Sequence, residues 1–349
     1  MRRAMVVVMA LTALVSFDWI TASLGVAQIS SQKSSGEKPE EFYRGKTLSI
    51  YTGSAGGSAD ALCRALVPHL EREIRAKVIV ENHPGGGSLQ TINLAYRAKP
   101  DGLIVLVHET PGVTLSDWFD DPGAIWETAK FNWLALAANQ PGICVVSPQK
   151  PYQSIKDLQH AKGLKLGAST AMAYYGPTNS LVASILNLDA KVVTGLKGTS
   201  GIVLSIQKGE VDGSALPEDV AARFAKPNQV RPLFTMSGHS ALFPDLPVLA
   251  RVVKLTKDQE LLIDTVASAS KAMVTTPGVP QDRVDFLRKT LRKICEDKGV
   301  QKDIMEKTGL GGWYGFVPGE EMQREMADPN IGPKDKGLLQ DILDRYLVR

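Results

Sequence analysis

Short apolar runs alternate with amphipathic stretches along most of this chain, and the alternation predicts its elements. Strands are expected at Thr47–Thr52, Lys77–Glu81 and Leu103–His108. Between the first two, Leu62, Leu66, Leu70 and Ile74 recur at the spacing of one helical face. Leu89, Ile92 and Tyr96 mark a second helix. Strands and helices alternating at this length imply a βαβαβ unit and a parallel sheet. Each helix follows a Gly-rich turn, Gly56-Gly57-Ser58 or Pro84-Gly85-Gly86-Gly87-Ser88. In such sheets ligands lie beyond the carboxyl ends of the strands, where helices begin. The pattern therefore points to a small-molecule site. Ser58 is expected to cap the first helix, and Pro68 to kink or restart it.

From Thr110 to Trp133 the pattern blurs, and Trp118, Phe119, Trp126, Phe131 and Trp133 crowd at an expected core edge. A second alternating series opens at Gly142–Ser147 and continues with strands at Leu164–Ala168, Lys191–Thr194, Val211–Leu216 and Arg231–Met236. Its helices are capped by Ser154, follow the turn Ser169–Gly176, or begin at Gly198-Thr199 and stop at Gly209. Beyond Phe243–Pro247 the chain reads as helical, with Val284, Leu287, Leu291 and Ile294 on one face and shorter helices at 301–308 and 319–326. Two βα series followed by helices without strands imply an interrupted first domain, 42–140 plus 245–349, around a second at 141–244. Two strands then cross between the domains, with a cleft at the hinge.

Composition narrows the class. A chain of 349 residues holds two domains with proper cores. Lys and Arg are scattered and the net charge is only +3, which argues against a nucleic-acid partner. Arg2 and Arg3 precede the apolar run Ala4–Val15, and Gly25-Val26-Ala27 puts small residues where a signal peptidase reads. Residues 1–27 are thus expected to be a secretory signal leading to the periplasm, and 28–41 a flexible tether. A retained membrane anchor is the competing reading. Cys63, Cys144 and Cys295 match no metal motif and sit in apolar runs, where a free thiol behaves as a core residue. A Cys63–Cys295 bridge is the alternative. His69, His83, His108, His160 and His239 lack metal-ligand spacing. There is no nucleophile elbow or P-loop, and Gly53–Gly57 matches a dinucleotide turn only in part. No cofactor, metal or catalytic group is expected.

Several stretches carry a resemblance. Tyr51–Asp60, Val80–Ser88, Lys99-Pro100-Asp101-Gly102, Val193–Gly198, Gly209–Gly213, Leu242–Pro247 and Thr276–Pro280 resemble, in order, the Bug-type extracytoplasmic solute receptors of tripartite tricarboxylate transporters. The resemblance runs from about Phe42 to Met326. It implies an α/β fold of the type II periplasmic-binding-protein kind, two βα domains joined by a hinge with a ligand cleft between them. It further implies a monomeric receptor, not an enzyme, that captures a small carboxylate and delivers it to a membrane permease. Departures touch the ligand site. Where many members carry an aromatic and a proline before the Gly pair, this chain has Gly53 and Ala55, and Leu196 stands for an aromatic before Lys197. An exported α/β enzyme acting on a small acid, or a sensing subunit of a signalling system, fits the same architecture.

A carboxylate needs several donors, and helix N-termini offer unpaired amides and the positive end of the helix dipole. Gly56, Gly57 and Ser58 are the first candidate grip. Asp60 is a candidate too, although a capping role accounts for it as well. Pro84–Ser88 is a further anion-type turn. Glu109 and Thr110 follow a strand at the ligand edge, Thr110 as donor and Glu109 as acceptor for an amine or hydroxyl. From the second domain Ser169, Thr170 and Tyr174, then Lys197, Gly198 and Thr199, would face them. Asp212 resembles the family's acidic residue near the hinge, or serves as a strand-end turn former.

Overall fold

Two six-stranded sheets carry the fold of this computed structural model, which describes residues 36–53, 56–137, 140–267, 269–311 and 315–348. In chain order the strands are β1 (Thr47–Thr52), β2 (Lys77–Asn82), β3 (Ile104–Glu109), β4 (Asn132–Ala137), β5 (Gly142–Val146) and β6 (Leu164–Gly167). Then come β7 (Ala190–Val193), β8 (Gly213–Pro217), β9 (Arg231–Thr235), β10 (Lys271–Thr275), β11 (Phe316–Pro318) and β12 (Leu347–Val348). The first sheet has the order β11-β4-β10-β3-β1-β2 and the second β12-β7-β6-β8-β5-β9. In the first, β1 pairs in parallel with β2 and β3, while β10 runs antiparallel between β3 and β4. In the second, β6 pairs in parallel with β7 and β8, and β5 is antiparallel to β8 and β9. The described residues form one compact unit; the expected signal segment and residues 28–35 of the tether lie outside them.

The foreseen helical faces are the ones that bury. Leu62, Leu66, Leu70 and Ile74 of the helix Ser58–Ile74 pack with Leu48 and Ile50 of β1 and with Val284, Leu287, Leu291 and Ile294 of the helix Gln281–Glu296. The helix Ser58–Ile74 runs through Pro68 unbroken. An interior proline costs about 3 kcal/mol, whereas burying those four side chains returns roughly 1.5–3 kcal/mol each. Burial wins. On the sheet's other face Leu106, Trp133 and Val274 meet Ile92 and Phe131. The three cysteines are free and buried.

Four strands escaped the sequence pattern. β4 is buried on both faces from Trp133 to Ala137, so it shows no alternation, and β10 is fully buried yet opens with a lysine. Adding β10 and β11 gives the C-terminal portion strands after all. The tether is shorter than expected, because Pro39–Tyr43 forms a helix that buries Phe42 and Tyr43 in the first core.

The assignment of 245–349 to the first domain also needs correction. Leu249, Leu262, Ile263 and Val266 pack in the core of the second sheet, as do Leu339, Ile342, Leu343 and Tyr346 of the helix Pro333–Tyr346, and β12 pairs with β7. Periodicity revealed which face of these helices is apolar but not which sheet receives it. The chain consequently passes between the sheets after β4, before β10, and between the helices Gly319–Ala327 and Pro333–Tyr346. Among the described residues no helix is long and apolar enough to cross a membrane, and no His, Cys, Asp and Glu cluster is placed to hold a metal ion.

Candidate ligand-binding site

The carboxyl ends of β1 and β3 in one lobe and of β6 and β7 in the other open into one cleft of about 640 Å³, within the range of small-molecule sites. The first lobe contributes Thr52, Gly53, Gly57 and Ala59, the turn residues Pro84 to Gly86, Ser88, and His108 with Glu109. Opposite lie Ser169, Thr170, the segment Ala173–Tyr175 and Gly195–Thr199.

Backbone chemistry explains why these loops converge. Gly85 has φ +151°, a conformation suited to glycine, and a Cβ there would meet Gln90 Oε1 at 2.1 Å. A Cβ on Gly53 would lie 2.0 Å from Ser88 Oγ, 2.5 Å from Ser88 Cβ and 3.4 Å from His108 Nε2. Gly53 thus lets the second turn and the end of β3 close onto β1.

Glu109 ends β3 and is cross-strand partner to Lys271 of β10. The Lys271 side chain is fully buried; its Nζ lies 3.7 Å from Glu109 Oε1 and donates to the Ala269 carbonyl at 2.6 Å. Burial pushes the Glu109 carboxyl up, but the Lys271 ammonium and His108 together bring it below its ordinary value. His108 Nδ1 stands 3.0 Å from the Glu109 carbonyl oxygen, which only accepts, so Nδ1 carries the proton.

The opposite wall presents donors. Thr170 Oγ1 receives the Ala173 amide at 3.2 Å, fixing the turn before the helix Tyr175–Ile185. Tyr175 OH and Thr199 Oγ1 are 2.6 Å apart. Lys197 precedes the helix Gly198–Gln207, whose first turn faces the cleft. The Tyr174 hydroxyl is buried with no partner among the described groups, and burial together with Tyr175 and Glu109 keeps it protonated.

Of the residues singled out from sequence, Gly57, Glu109, Ser169, Thr170, Tyr174, Lys197, Gly198 and Thr199 line the cleft, together with Pro84, Gly85, Gly86 and Ser88 of the second turn. Gly56, Ser58, Asp60, Thr110 and Asp212 do not. Ser58 is not the N-cap, a position held by Gly57; its hydroxyl donates to Asp219 Oδ1 at 3.0 Å and accepts from Gln140 Nε2 at 2.9 Å. Asp219 lies on the helix Glu218–Ala225 of the second lobe, so Ser58 bridges the lobes instead of facing the cleft. Arg223 adds a second bridge to the Gly56 carbonyl, 3.0 Å away. Asp60 receives the Gly56 amide, Arg64 and Asn82, which outweigh burial and lower its carboxyl. Thr110 is bonded to Ser270, and Asp212 receives the Lys165 amide and pairs with Lys150. In each case a partner within the protein has taken the polar group that a ligand would need. Sequence reasoning missed Lys271, Tyr175 and Gln140. For Lys271 the signal was a lysine opening an otherwise apolar run.

Comparison with known proteins decides the family. The model of the tripartite tricarboxylate transporter family receptor matches residues 62–316. The chain belongs to that family. A UPF0065 protein in the gbd 5′ region of Cupriavidus necator is 24% identical over 299 residues, 81% of this chain and 84% of that protein. A second UPF0065 protein, from Pseudomonas sp. strain P51, is 27% identical over 161 residues, and the match spans 45% of this chain but only 48% of that relative. Among solved structures, an R. palustris protein with adipate superposes with a TM-score of 0.70 at 15% identity, covering 87% of this receptor and 98% of that chain. MatC from Rhodopseudomonas palustris with bound malate gives 0.66 at 17%, covering 86% and 97%. These likenesses establish the two-lobed solute-binding fold.

Proposed function

We propose that this protein is a periplasmic receptor that captures a small organic carboxylate between its lobes and delivers it to a tripartite tricarboxylate-type permease. The observation that carries this reading is the cleft itself, where two helix starts, at Gly57 and Gly198, stand on facing walls with Ser169, Thr170 and Lys197 beside them. Amides at helix N-termini and a lysine ammonium are the donors an acid requires. Closure expels water and lowers the local dielectric, so each charge–dipole contact strengthens. The malate and adipate held by the two structural neighbours support an acid of similar size. The basic and apolar start of the chain supports export, with cleavage after Ala27.

The test is calorimetric titration of the purified receptor with mono-, di- and tricarboxylates, alongside small-angle scattering. At least one acid is expected to bind with one-to-one stoichiometry and to compact the protein. Thermal stabilisation should follow, about 4 kcal/mol at a thousandfold excess over Kd. Silence across the panel refutes the proposal. Delivery is tested by uptake into cells carrying the permease with and without the receptor.

A further inference from the structure

Resting on the receptor reading above, we propose that Glu109 makes this cleft selective for an acid that carries an N–H donor at its other end, an amino or amide acid, over a plain dicarboxylate. The two sides of the cavity differ in kind. Ser169, Thr170, Lys197 and the start of the helix Gly198–Gln207 present hydrogen-bond donors. Across from them Glu109 presents a carboxylate acceptor.

Glu109 is the single carboxylate among the residues that line the cavity, and its side chain is 20% exposed there while its partner Lys271 is 0% exposed behind it. The ammonium is committed inward, to the Ala269 carbonyl and to Oε1. It holds the carboxylate in place and ionised without offering a donor to the cleft. His108 turns its Nδ1 to the Glu109 carbonyl oxygen. A second ligand carboxylate at this end would face a like charge in a site of low dielectric; an ammonium or amide N–H would find a charge-assisted acceptor.

The experiment compares adipate with 6-aminohexanoate, two acids of matched length, and with hexanoate, by calorimetry on the wild type, Glu109→Gln and Glu109→Gln/Lys271→Met. One charge-assisted hydrogen bond gained in place of a repulsion corresponds to a preference of about tenfold or more. The wild type is expected to bind 6-aminohexanoate at least tenfold more tightly than adipate, and both variants to lose that ratio. The double variant keeps the net charge of the site and leaves no unpaired buried ammonium, so it separates contact from bulk charge and serves where Glu109→Gln alone does not fold. Equal binding of the two acids by the wild type, or a ratio unchanged in the variants, overturns the inference and reduces Glu109 to a structural ion pair. If adipate and hexanoate bind but 6-aminohexanoate does not, this inference falls and the receptor reading stands. If none of these acids nor any of the wider carboxylate panel binds, both fall.

Discussion

Lys271→Met tests how the cleft floor is held together. The lysine is fully buried and meets the Glu109 carboxylate at 3.7 Å and the Ala269 carbonyl at 2.6 Å. Breaking one side of a buried pair costs about 3–5 kcal/mol. The lower end is expected here, because Glu109 is partly exposed and can rehydrate. The loss should depend on pH in a defined direction. Glu109 is held below its ordinary value of 4.5 in the folded protein, so its contribution is fully present above that value and is lost as pH falls through the lower, folded one. In Lys271→Met the largest lowering influence is gone and burial raises the carboxyl instead. The variant's deficit should therefore be greatest near neutral pH and shrink as the solution is acidified through the ordinary glutamate range. Urea denaturation of both proteins at a series of pH values reads this directly. A deficit below about 1 kcal/mol at neutral pH, or one that stays constant on acidification, would refute the argument.

Two further substitutions separate the cleft from the bridge beside it. Gly53→Ala places a Cβ 2.0 Å from Ser88 Oγ and 2.5 Å from Ser88 Cβ, so the turn Pro84–Ser88 must move; a stability loss of about 1–3 kcal/mol should accompany tenfold or greater weakening of acid binding, seen by calorimetry. Ser58→Ala leaves the buried Asp219 carboxylate without its hydroxyl donor and should cost about 1–3 kcal/mol in urea titration, with acid affinity altered through lobe closure and not through a lost ligand contact, a distinction that scattering of the unliganded protein makes visible.

Spacing and turn chemistry alone made legible the βα alternation, the positions of the Gly-rich turns and the sheet edge at which the cleft opens. These are local matters: a helical face such as Leu62–Ile74 is written in spacing, and a turn such as Gly85-Gly86 in conformational freedom. Which polar groups remain for a ligand was decided only by tertiary structure. Ser58 and Asp219 are 161 positions apart, and Thr110 is held by Ser270 across 160. No local pattern reports such partners, because a hydroxyl or carboxylate is equally polar whether it meets a distant side chain or a bound acid. The same holds for the C-terminal helix, whose apolar face fits two sheets by composition and one by shape. Glu109 lies between these cases. Its place at a strand end was legible, but its fixed charge comes from a lysine buried behind it on β10, a strand that the apolar pattern concealed.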